Sequence, residues 1–100
     1  MTMFTHNDIL RIREWAEKRN AKIIFRFKNY PYILVIEKMI KSQDINERTV
    51  DWIRAFGTKR PHQVISSMPI DSITIYYKTS GEEEKLKNPR QLLQKATSNL

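Results

Sequence analysis

Basic side chains at alternate positions of one extended segment are the feature of this sequence with the most direct chemical use. In Lys22-Ile23-Ile24-Phe25-Arg26-Phe27-Lys28, a strand puts Lys22, Arg26 and Lys28 on the side of Ile24, opposite Ile23, Phe25 and Phe27. Side chains two residues apart on a strand stand about 7 Å apart, a spacing suited to successive phosphates. Arg19 lies just before this segment, and Tyr30 and Tyr32 flank the turn after it, where rings could stack on unpaired bases. A later strand offers Tyr76 and Lys78 beside Thr74, with Tyr77 turned inward among Ile73 and Ile75. A further basic cluster, Arg54, Lys59 and Arg60 with His62 nearby, brackets the end of a helix. Positive charge there also complements the helix dipole, and alternating lysines on a strand also guard a sheet edge against pairing.

Catalytic templates are not met. The two glycines, Gly57 and Gly81, cannot make a glycine-rich phosphate loop. His62 and Ser66 share a face of a short edge strand but have no third group to orient the base. Paired carboxylates would have to come from Glu37 and Asp71, the only acidic residues associated with strands. Without cysteine there is no disulfide, thiolate nucleophile or thiolate zinc site, and His6 and His62 are the only imidazoles. The expectation is a non-enzyme with no cofactor and no metal. A metal-independent ribonuclease using Arg, Lys, Tyr or His stays open.

The charge balance agrees with a polyanionic partner. Eighteen Lys and Arg against eleven Asp and Glu leave a net charge of +7. Residues 1–41 hold nine basic and four acidic side chains, so most of the excess lies in the first two-fifths of the chain. No apolar run is long enough to span a bilayer, and the start, Met1-Thr2-Met3-Phe4, lacks the pattern of an export signal. The expected location is cytoplasmic, with no membrane association.

These residues need elements to hold them. Thr5 or Asn7 caps a first helix whose buried stripe is Ile9, Ile12, Trp15 and Ala16, ending near Asn20. The hairpin Lys22–Lys28 and Tyr32–Lys38 follows, its second strand apolar on both faces and therefore central. Asp44, three residues before Glu47, predicts a capping box and a second helix burying Val50, Ile53 and Phe56, stopped by Gly57. Gln63–Ser67 and Ser72–Lys78 read as a second strand pair, with Pro61 and Pro69 favouring an edge for the first. Residues 80–87, with Glu82-Glu83-Glu84, read as a solvated linker, and Asn88-Pro89 opens a last helix through residue 100.

The expected fold is α+β: a two-layer sandwich of order α-β-β-α-β-β-α, with an antiparallel sheet of about four strands and helices on one face. Residues 1–79 form its compact domain, with two loosely similar αββ halves. The expected function is that of a small basic accessory or regulatory protein. It binds DNA or RNA through the exposed sheet face, as a monomer or homodimer. A second reading is a protein-binding inhibitor or adaptor that acts on an acidic partner such as a nucleic-acid enzyme.

Overall fold

The computed structural model describes residues 4–98; Met1–Met3 and the last two positions of the expected C-terminal helix lie outside that range. Six strands form one antiparallel sheet: β1 (Ala21–Phe27), β2 (Tyr32–Ile36), β3 (Ile40–Asp44), β4 (Thr49–Val50), β5 (Ile70–Tyr77) and β6 (Glu83–Leu86). Their order across the sheet is β4-β3-β2-β1-β5-β6. The described residues also form four helices, α1 (His6–Lys18), α2 (Trp52–Phe56), α3 (Pro61–Ser67) and α4 (Pro89–Ser98). The α+β class, the antiparallel pairing and the one-sided helix layer agree with the sequence. The sheet has six strands rather than four, and the element order differs.

The covered face explains the layering. Ala21, Ile23, Phe25 and Phe27 of β1, Leu34 and Ile36 of β2, and Ile73 and Ile75 of β5 are buried in one cluster. Ile9, Ile12, Trp15 and Ala16 of α1, Phe56 of α2, Val64 of α3 and Leu92 of α4 join it. Fully burying each large aliphatic or aromatic side chain is worth about 1.5–3 kcal/mol, which makes this cluster the main source of stability. The shortest dimension of the molecule, 21 Å, is about that of one helix layer on one sheet.

Local chemistry sets the element boundaries. Thr5 Oγ1 accepts from the Asp8 amide at 3.2 Å and Asp8 Oδ2 accepts from the Thr5 amide at 2.9 Å, a reciprocal cap that starts α1. Asn20 and Asn29 close α1 and β1 with positive φ, a conformation in which asparagine is among the more tolerated residues. Asn88 Oδ1 accepts from the Gln91 amide, and Gln91 Oε1 from the Asn88 amide, so α4 begins as expected.

Several expectations are corrected. Asp44 caps no helix: its Oδ1 accepts from the amides of Asn46 and Arg48, making the turn that joins β3 to β4. The helix begins only at Trp52 and turns Ile53 outward, 69% exposed, instead of burying it. Residues 63–67 lie in α3 rather than in a strand; Pro61 occupies the first turn and Gln63 Oε1 accepts from the Arg60 amide at 2.8 Å. The expected linker contains β6, whose alternation turns Leu86 and Glu84 inward. Glu84 accepts from the Tyr77 hydroxyl at 3.0 Å and pairs with Lys95 of α4 at 2.9 Å. Burial, that hydrogen bond and the carboxylate charge push the Tyr77 hydroxyl above its usual pKa. The αββ repeat also fails at its proposed offset, because β2 follows a strand whereas β5 follows a helix.

Candidate nucleic-acid interface

Among the described residues no helix covers the other face of the sheet, and its cross-strand registers arrange it in rows. One row reads Ser72, Arg26, Ile33, Gln43, Thr49 from β5 to β4. The next reads Lys85, Thr74, Ile24, Val35, Lys41 from β6 to β3. The third holds Glu83, Tyr76 and Lys22, and Glu37 follows β2 at the same end. Ile24, Ile33 and Val35 form a small buried cluster of their own, and Gln43 and Thr74 beside it are also buried. The long side chains around this strip cover it with their stems.

The two halves of this face differ electrically. At the β2–β3 end, Glu37 Oε1 accepts from Lys41 Nζ at 2.9 Å, and Glu37 Oε2 pairs with Lys78 Nζ. Burial pushes the Glu37 carboxyl up, but the hydrogen bonds and charges of Lys78 and Lys41 outweigh it and hold the group below its ordinary pKa. These two lysines are therefore largely answered within the protein. Among the described residues, Lys22, Arg26 and Lys85 enter no ion pair. They surround Ser72, Thr74 and Tyr76 on β5. Lys22 and Arg26 are four residues apart on β1, about 13 Å, and Lys85 lies two strands away, about 10 Å.

The sequence-derived set divides on this geometry. Lys22, Arg26 and Tyr76 share the uncovered face, with Lys78 at its Glu37 corner. Lys28 lies just past β1, where its amide donates to the Pro69 carbonyl. Arg19 caps the C-terminus of α1. Tyr30 and Tyr32 are corrected: both pack against the covered core, not on the basic face. The Tyr30 hydroxyl donates to the Ala55 carbonyl, and its ring stacks on Phe56 at 5.8 Å. Arg54, Lys59 and Arg60 belong to α2 and the loop after it, away from the Lys22–Arg26 face.

Lys41 and Lys85 were missed because β3 and β6 were not expected. The alternation Glu83-Glu84-Lys85-Leu86, with its one apolar residue beside an inward carboxylate, was the available signal. His62 and Ser66 make no catalytic pair. Ser66 Oγ donates to the His62 main-chain oxygen at 2.8 Å and accepts from the Phe4 amide at 3.2 Å, so the hydroxyl serves the backbone. Among the described residues no three metal-ligating side chains converge, and no helix is long and apolar enough to cross a membrane. The chain matches no family model, and no curated protein or solved structure is significantly similar to it.

Proposed function

We propose that this chain binds DNA or RNA through the uncovered face of its sheet, as a small accessory or regulatory protein rather than as a catalyst. The observation that carries this reading is the trio Lys22, Arg26 and Lys85, cations on one face without a carboxylate partner. An unanswered cation on a protein surface gains most from a phosphate, because counterions are released when the two meet. Tyr76 lies between Lys22 and Glu83 in the sheet register, where its ring offers one stacking surface to an unpaired base. Ser72 adds a hydroxyl beside Arg26.

The test is fluorescence anisotropy with labelled single-stranded and duplex DNA and RNA, comparing the wild type with Lys22→Ala/Arg26→Ala/Lys85→Ala. With about three phosphates engaged, the logarithmic salt slope is expected at about −3, so affinity falls roughly 60-fold between about 50 and about 200 mM salt. The triple variant should fold normally and lose most of the affinity and of the slope. Tyr76→Ala should weaken single-strand binding more than duplex binding. Absence of binding at low salt, or binding indifferent to the triple variant, overturns the proposal.

A further inference from the structure

A different surface, at the opposite edge of the sheet, has the features of a peptide groove. The short strand β4 pairs only with Ser42 and Gln43 of β3. The Asp44 amide donates to the Arg48 carbonyl on that side. The two-residue alternation turns the peptide groups of Ser42 and Ile40 the same way. Val50 meets Ser42, and Ile40 lies beyond the end of the ladder. Among the described residues its outward N–H and C=O have no strand opposite them.

Side chains continue this open edge into a shallow hollow. Ile40, Trp52, Ile53 and the segment 57–61 line a space of about 560 Å³. Next to it, Lys41, Val50 and Asp51 contribute to a smaller space of about 330 Å³. The wall is fixed in place. Trp52 Nε1 donates to the Lys59 carbonyl at 2.8 Å, the Trp52 ring packs on Phe56 at 4.8 Å, and the Tyr30 hydroxyl holds the Ala55 carbonyl. With α2 pinned at both ends, Ile53 is held outward at 69% exposure. Lys59 and Arg60 line the hollow and Arg54 lies on α2, against the carboxylate of Asp51 in the smaller space, where Lys41 is already paired with Glu37.

We infer that this edge binds an extended acidic segment of a partner protein. That segment would continue the sheet alongside Ile40, place one apolar side chain against Trp52 and Ile53, and set its carboxylates toward Lys59 and Arg60. Addition of a strand supplies main-chain hydrogen bonds, and the hollow selects the side chain. Charge decides the occupant: a second copy of this chain carries +7 and would bring cations against cations, whereas an acidic strand is complementary. The site is separate from the basic sheet face and stands whether or not that face binds nucleic acid.

The test is selection of a random peptide library displayed on phage against the immobilised full-length protein, followed by affinities of the enriched peptides as free synthetic molecules. Enriched peptides are expected to carry excess Asp and Glu around apolar residues at alternate positions. Ile53→Glu and Lys59→Glu should each reduce affinity about tenfold or more. Ile45→Ser should leave it unchanged; that isoleucine is 72% exposed but lies in the β3–β4 turn, away from the groove. Hydrogen exchange at the Ile40 amide should slow when peptide is bound. Circular dichroism checks that each variant is folded. The inference is overturned if no peptide is enriched, if the enriched peptides are not acidic, or if their binding survives Ile53→Glu and disappears with Lys22→Ala/Arg26→Ala.

Discussion

The two faces of the sheet are built from the same strands, yet they bury their apolar residues by different means. On one face, helices cover Phe25, Ile23, Leu34 and Ile75. On the other, Ile24, Ile33 and Val35 lose their exposure with no second layer above them. Ile23 and Phe25 of the covered face meet β2 partners of similar character, Ile36 and Leu34. The uncovered strip is three residues, with Gln43 and Thr74 buried beside it, and it is ringed by Lys22, Lys41 and Arg26, long side chains whose stems keep water off it while their charged ends remain outside. Burial therefore does not require a layer; a narrow strip and long neighbours suffice. The ring of cations on the uncovered face then has a packing role in addition to the proposed contact with phosphate.

Phe25→Ala should have the largest effect on this comparison. Loss of a fully buried ring from the covered face should cost about 3–5 kcal/mol, read as a shift in urea midpoint. Val35→Ala sharpens the comparison most. If the uncovered strip is as dry as its burial says, removing two methyl groups should cost about 2 kcal/mol; a cost near zero would mean that water already reaches Val35.

The smallest effect concerns the Glu37 cluster. Its folded pKa is depressed, so its contribution is present above the unfolded value and is lost as pH falls through the folded one. With both lysines partly exposed, the difference between wild type and Glu37→Gln should be at most about 1 kcal/mol near neutral pH and should close once the pH falls below the folded pKa. A difference that persists in acid would assign the effect to packing and not to charge.

Much of this arrangement was legible because local and tertiary preferences agree. In α1 the Thr5–Asp8 cap, the stripe from Ile9 to Ala16 and the asparagine stop all point the same way. The alternation of β1 identified the faces of Lys22 and Arg26, and that of β5 the face of Tyr76. The errors came from residues whose chemistry serves two structures. Asp44 with Glu47 fits a capping box, but the same side chain closes an Asx-type turn, and the pairing of β3 with β2 decided between them. Arg60-Pro61-His62-Gln63 has the same Pro and Gln spacing as Asn88-Pro89-Arg90-Gln91, and in both the glutamine accepts from the amide three residues earlier. Arg60 hid the first instance because it is not among the usual capping residues. Tyr30 and Tyr32 flank a turn and so read as outward; nothing local signals that α2 comes to rest on Tyr30, or that Tyr32 packs beside Tyr30 against the core.

The position of β1 also sets a timetable for folding. Its pairing with β2 spans one short turn, but its pairing with β5 brings Ala21 to Tyr77 across more than half the chain. Loop closure of that length is slow relative to hairpin formation, so the β1–β2–β3 meander should assemble first. Until β5 arrives, the outer edge of Ala21–Phe27 lies open with Ile23, Phe25 and Phe27 alongside it, an invitation to pair with another unfinished chain. On a ribosome, that interval lasts while the residues from β2 to β5 are made, several seconds at about 5–20 residues per second. The strand that ends as the most protected element of the native protein is thus its most aggregation-prone element during synthesis.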